Sequence, residues 1–151
     1  MATHDMAELQ KIGWLFREIN AHFRDGIDSA LRQQKVGLNF GQVSTLSILE
    51  ASPGLNGAQL ARRNMVTPQA MTGVLRQLAL RRLVERRTHP ESQRADSWHL
   101  TDRGSKALQR GRQAFATVTS RMIGDLAQPE VRRLQDSLRR CADALAAGRP
   151  T

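Results

Sequence analysis

Leu55–Arg87, which reads LNGAQLARRNMVTPQAMTGVLRQLALRRLVERR, decides the fold. It divides into two short helical patterns joined by a tight turn. The second begins at Thr67-Pro68, a threonine N-cap ahead of a proline at the first helical position. Met71, Val74, Leu75 and Leu78 then recur at i, i+3, i+4 and i+7, which is one buried face. Gln69, Thr72, Gly73, Arg76 and Gln77 fall opposite, a set suited to hydrogen-bonding base edges and phosphates. Ahead of this helix Asn56 can cap Gly57–Arg63, and Asn64-Met65-Val66 supplies the turn. Behind it, Leu83-Val84-Glu85-Arg86 and Ala95–Leu100 flank the polar, Pro90-containing tip Thr88–Arg94, the pattern of a basic hairpin. A helix-turn-helix followed by a hairpin is winged, and double-stranded DNA is its expected partner.

Charge points the same way. The 151-residue chain carries a formal net charge of +9. Twelve basic residues and four acids lie between Leu60 and Arg112, so nearly all of the excess sits on one third of the chain. Such concentration implies a polyanion. Aromatic residues make up only 4% of the chain and tyrosine is absent, which disfavours base-stacking modules for single strands or RNA loops. Length fits about one domain with a real core. No apolar run approaches the ~18 residues of a membrane span, and Met1–Asp5 lacks a signal-peptide layout. The lone Cys141 cannot close an internal disulfide, so a cytoplasmic location is expected.

Outward from the centre, both ends read as amphipathic helices. Leu9, Ile12, Phe16, Ile19, Phe23 and Ile27 mark a stripe close to a heptad seam on a helix from about Ala7 to Leu31. Asn39-Phe40-Gly41-Gln42 resembles a capping box opening a helix to about Ala51 that buries Val43, Leu46 and Leu49. Thr101-Asp102-Arg103-Gly104 opens a long helix with Leu108, Phe115, Val118 and Met122 inward, broken near Leu126 by Gly124 and Pro129. Gly26 interrupts the first helical pattern and is expected to cost about 1 kcal/mol relative to alanine, and Gly111 is expected to weaken the long helix somewhat. In the last helix Val131, Leu134, Leu138, Cys141 and Leu145 form another seam. The terminal helices can pack on each other within one subunit or intertwine two subunits. The dimer is favoured, because one helix-turn-helix reads too few base pairs and two copies match a palindrome.

The order of elements resembles the MarR family of bacterial transcription regulators over nearly the whole chain, from about Leu9 to Leu145. Leu38-Asn39-Phe40-Gly41-Gln42 is similar to the family's Leu-Thr-x-x-Gln, and Leu100-Thr101-Asp102-Arg103-Gly104 matches its Leu-Thr-x-x-Gly after the wing. Leu55–Ala61 resembles its third helix, and Leu78–Arg86 the end of the recognition helix and the first wing strand. The resemblance implies a mostly α fold with a small β-wing, a winged helix-turn-helix over about 38–104, and dimerisation helices over about 7–31 and 105–146, all in a single domain spanning 1–151. Where the family wing reads Asp-x-x-Asp-Arg-Arg, this chain has His89-Pro90-Glu91-Ser92-Gln93-Arg94, so Arg94 inherits the minor-groove or phosphate contact, with Glu91 or Asp96 as stand-ins for the lost aspartates. Arg82 replaces the glycine usual after the recognition helix. A left-handed conformation there costs of order 1–2 kcal/mol.

The resulting expectation is a sequence-specific transcriptional regulator, a ligand-responsive repressor acting as a homodimer; the alternative is a non-specific architectural DNA-binding protein. Arg62 and Arg63 are assigned to phosphates, Thr67 to a phosphate at the helix start, Gln69, Thr72 and Arg76 to bases, with Gly73 allowing close approach and Gln77 and Arg94 completing the surface. The family resemblance also implies a small aromatic or anionic effector, for which Trp14, Arg17, His22 and Arg24 are candidate contacts. His4, His22, His89 and His99 show no metal-ligand spacing, so neither metal nor cofactor is expected. Cys141, on a seam, is expected to act as a small buried hydrophobe rather than a redox sensor. No phosphate loop or nucleophilic triad spacing points to an enzyme.

Overall fold

Polar caps start the first four helices, at Asn39, Asn56 and Thr67 where the sequence places them and at Asp5, which the sequence reading does not single out. The computed structural model describes residues 5–88 and 96–148. Asp5 caps helix α1 (Met6–Gln33), accepting from the Ala7 N–H at 3.3 Å. Helix α2 (Phe40–Ala51) and helix α3 (Gly57–Asn64) each open with a complete capping box, Asn39 with Gln42 and Asn56 with Gln59, all four hydrogen bonds between 2.9 and 3.1 Å. Thr67 caps helix α4 (Pro68–Leu80) through the Ala70 N–H at 3.1 Å, with Pro68 in the first turn. Each satisfies a backbone donor that the helix start leaves orphaned.

The ends of α1, α3 and α4 share one device. Val36 N–H reaches the Leu31 carbonyl, Val66 that of Ala61, and Leu83 that of Leu78, each a six-to-one closure after a left-handed residue. Those left-handed residues are Lys35, Met65 and Arg82, with φ of 52°, 55° and 57°. None is glycine, so each position stores strain of order 1–2 kcal/mol. Arg82 therefore takes the conformation for which the family uses glycine.

Strands β1 (Val84–Arg87) and β2 (Ser97–Leu100) pair antiparallel in the register Val84 with Leu100, Glu85 with His99, Arg86 with Trp98 and Arg87 with Ser97. Leu55 bridges the free edge of β2 at Trp98, which the sequence pattern does not reveal. The core beneath is drawn from every element of this region: Ile27 and Leu31, Val43, Leu46 and Leu49, Leu60, Met71, Leu75 and Leu78, Leu83, and Leu108 are all buried. Helix α5 (Asp102–Ile123) enters at Thr101, whose hydroxyl oxygen accepts from the Gly104 N–H at 3.0 Å. A Cβ on Gly104 would lie 2.0 Å from the Leu83 carbonyl oxygen, so the glycine of the Leu-Thr-x-x-Gly motif is required by backbone-on-backbone packing.

Two compact units divide the chain within α5, Met1–Val118 and Thr119–Thr151. The second contains the end of α5 and helix α6 (Gln128–Ala147), in which no residue is buried. Three expectations change here. Met122, in the last turns of α5, is exposed rather than inward, and Cys141 is exposed rather than buried, on a helix that buries none of its residues. Gly26 and Gly111 are not mere weaknesses. Cβ atoms there would come within 3.2 Å of Val118 and 2.8 Å of Val43, so both glycines permit close packing within the first unit. Among the described residues no helix is long and apolar enough to cross a membrane.

Candidate nucleic-acid interface

Helix α4 is held from below by Met71, Leu75 and Leu78, all buried, which turns the opposite arc outward. At 100° per residue, Gln69, Gly73 and Arg76 lie at the centre of that arc, with Thr72 and Gln77 on its two edges. Gln69, Thr72, Arg76 and Gln77 are exposed, and a Cβ at Gly73 would meet nothing within 4 Å. The five positions read as one face in the sequence are therefore a centre and two flanks.

The flanks differ in what they touch. Thr72 borders a cleft of about 720 Å³ between α4 and the wing, lined also by Leu75, Arg76, Leu80, Arg86 and Trp98. The Thr72 hydroxyl donates to the Pro68 carbonyl at 2.9 Å, so toward an outside partner it is left as an acceptor. An exocyclic amine of adenine or cytosine suits it better than a carbonyl. On the other flank Gln77 is already engaged: its Oε1 accepts from Gln42 Nε2 at 2.9 Å.

The surrounding cations divide in the same way. Arg62 and Arg63 are exposed in the last turn of α3, and Arg63 Nη1 donates to Ser52 Oγ at 2.7 Å, which fixes its side chain beside the turn. The Thr67 hydroxyl oxygen serves as helix cap, as expected of its position. At the base of the wing Arg86 pairs with Asp96 at 3.0 Å and Arg87 with Glu85 at 2.6 Å, so both cations are offset by carboxylates. Asp96 thus secures a wing strand through Arg86. Arg94, with His89 and Glu91, lies outside the described residues.

The four effector candidates do not converge. Arg17 lies over the Trp14 ring at 5.2 Å, His22 stands 3.9 Å from Glu18 with both side chains exposed, and Arg24 covers Phe40 at 5.0 Å. Only Arg24 joins a larger aromatic group, since Phe40 stacks on Phe115 with ring centroids 5.5 Å apart. None of the four lines the cleft beside α4 or the smaller one of about 230 Å³ between α2 and α5. Among the described residues no group of three or more His, Cys, Asp or Glu side chains is placed to hold a metal ion.

A helix-turn-helix with an outward-facing second helix, continued into a two-stranded wing, defines the class: a winged-helix protein of the transcription-regulator type. A model of the MarR family matches residues 36–95. The transcriptional repressor Rv2887 of Mycobacterium tuberculosis is 32% identical over 133 residues, covering 88% of this chain and 94% of the relative. The chain belongs to the MarR family. Structures of Rv2887 with salicylic acid (TM-score 0.72, 32% identity, 85% of this chain and 94% of that one) and with DNA (TM-score 0.71, 31% identity, 85% and 95%) superpose on it. The MepR–DNA complex of S. aureus, at 23% identity and a TM-score of 0.71 over 88% of this chain and 95% of its own, shares the fold.

Proposed function

We propose that this chain is a homodimeric, sequence-specific DNA-binding repressor that inserts α4 into the major groove of each half of a palindromic operator. The observation that carries the reading is the outward arc of α4, where Gln69 and Arg76 stand exposed and Gly73 has open space beside it, on a helix anchored by three buried residues. Gln pairs bidentately with adenine and Arg with guanine or phosphate, so the arc has the chemistry to tell base pairs apart. Arg62 and Arg63 grip phosphate and set register. Exposed apolar residues on α1, Leu9, Ile12, Phe16 and Ile19, support the dimer. Two recognition helices about 34–36 Å apart then meet successive major grooves.

The DNA and salicylic acid complexes of Rv2887 support a duplex partner and a small aromatic ligand, which this reading takes as the effector. Arg24 over Phe40 is the effector contact this reading keeps. The test is titration of duplex from the protein's own upstream region against random duplex over a range of salt. A regulator keeps a specificity ratio of order 10³ or more, and salicylate lowers operator affinity. A ratio near one at every salt concentration would instead establish the architectural alternative.

A further inference from the structure

Gln77 and Arg81 stand one turn apart on the flank of α4 that faces away from the wing, and both reach the junction between α1 and α2. Gln77 Oε1 accepts from Gln42 Nε2 at 2.9 Å. Arg81 Nη1 donates to the carbonyl of Gly37, a residue at φ +70° whose missing side chain leaves room for the guanidinium. Gln42 is only 7% exposed, and both polar atoms of its side chain are engaged. Its Oε1 accepts from the Asn39 N–H at 3.1 Å, which forces Nε2 to be the group facing Gln77. The junction is tied onward to α1, where Asp28 accepts from the Phe40 N–H at 2.6 Å and Arg24 covers the Phe40 ring. A continuous polar chain thus runs from α1 through the start of α2 to the C-terminal half of α4.

We propose that this clamp sets the angle of the recognition helix, so that Gln77 and Arg81 are positioning residues for DNA reading and not DNA contacts. The proposal rests on the reading of α4 as the base-reading helix. Gln69 precedes Gln77 by eight residues, or roughly 12 Å of helix, so a 10° tilt about the clamp moves it by roughly 2 Å. Side chains that discriminate bases tolerate only about 0.5 Å before hydrogen bonds fail. The apolar underside of α4 resists separation, but burial is non-directional and does not by itself single out one tilt. Directional bonds at Gln77 and Arg81 supply what the core does not. Gln77, assigned to the DNA surface from its exposure in the helical pattern, becomes a group that acts on DNA through Gln69 and Arg76.

The experiment compares the wild-type dimer with Gln77→Ala, Arg81→Gln, Gln42→Ala and the Gln42→Ala/Gln77→Ala double variant. Each is titrated with a duplex chosen by wild-type binding-site selection and with random duplex, across salt, alongside a thermal melt. The clamp predicts that operator affinity falls about tenfold in Gln77→Ala and Arg81→Gln while random-duplex affinity and the salt slope stay as in wild type. It also predicts that the double variant is no worse than the weaker single one. An equal loss on both duplexes in Arg81→Gln, with the slope lowered by about one ion per subunit, would make Arg81 a phosphate contact and overturn the proposal. Additive losses at Gln42 and Gln77 would make Gln77 a base contact, and a lowered melting temperature with unchanged specificity would leave the clamp merely structural. Gln77→Ala leaves the Asn39–Gln42 capping box whole, so the test stands even if Gln42→Ala does not fold. A wild type with no operator preference would defeat the base-reading role of α4 itself, an outcome visible before any variant is made.

Discussion

The two halves of α1 carry one apolar stripe and meet opposite fates. Toward the C-terminal end Ile27 and Leu31 are 0% exposed, and Phe23 packs edge-on against Phe115 of α5 with ring centroids 6.1 Å apart. Toward the N-terminal end Leu9, Ile12, Phe16 and Ile19 are between 46% and 51% exposed. The apolar residues keep helical spacings of three or four along the whole helix. What changes is whether the same chain supplies a surface to cover it. A heptad-like pattern therefore states which face must be buried and is silent about which molecule buries it. One exposed leucine on a protein surface means little, but a continuous row of large apolar residues marks an interface.

The strongest way to break this comparison is to charge the exposed half. If the proposed dimer is held by this face, Ile12→Glu with Ile19→Glu should leave only monomer in sedimentation. Burial of two such side chains contributes about 3–6 kcal/mol, so subunit affinity should weaken more than a hundredfold and operator binding should collapse with it. A variant that stays dimeric at micromolar concentration places the interface elsewhere.

The buried half gives the next largest effect. Ile27→Ala removes a side chain with no exposure and should lower folding stability by about 2–5 kcal/mol in urea unfolding at fixed subunit concentration. Its association, measured where it is still folded, should stay close to that of wild type. If instead Ile27→Ala shifts subunit affinity as strongly as the paired glutamates do, the two halves form one interface and the distinction fails.

The same division separates what the sequence discloses from what it conceals. Caps at Asn39, Asn56 and Thr67, the buried face of α4 and the hairpin were legible because each depends on residues three or four positions apart, or on a paired alternation. The glycine that the family places at position 82 raised the left-handed conformation for Arg82 as one of two ways to end the helix, and the structure takes it. The Gln42–Gln77 and Arg81–Gly37 bonds join residues 35 and 44 positions apart, and nothing local marks them. Gln42 did announce one role, as the acceptor of a capping box, but its amide nitrogen points into tertiary space that no periodicity describes. Leu55 bridging Trp98 escaped for the same reason. At the candidate site, the outward placement of Gln69, Thr72, Arg76 and Gln77 was readable, and the division of the face into a centre and two differently engaged flanks was not. Arg94, the wing residue singled out by resemblance, lies outside the described residues.

Glycines in helices sharpen the point, since each looks alike in sequence. A Cβ at Gly111 would lie 2.8 Å and 3.0 Å from the two methyl carbons of Val43. Alanine there gains about 1 kcal/mol of helix propensity. It also overpacks a filled core, at a cost of about 1–3 kcal/mol. Gly111→Ala should thus lower stability by about 1 kcal/mol in chemical unfolding, and combining it with Val43→Ala should recover part of the loss. A stabilised single variant would mean that α5 can draw back from α2 without penalty.

Gly73 should show the opposite sign, and the smallest change. Its position on α4 opens onto empty space, with nothing within 4 Å of where a Cβ would stand. Gly73→Ala should therefore raise folding stability by about 0.5–1 kcal/mol, as at any exposed helix interior. The gain in folding is expected to be accompanied by a loss in binding. Gly73 stands between Gln69 and Arg76 at the centre of the outward arc, and a methyl group there holds the helix backbone away from the groove floor. Operator affinity should drop several-fold while random-duplex affinity, which depends on phosphate contacts at the rim, should hardly move. Thermal melts and duplex titrations on the same preparation read both numbers. A more stable protein with undiminished operator affinity would mean that the groove does not meet α4 at Gly73, and would shift the reading surface toward the Thr72 flank and the cleft beside the wing.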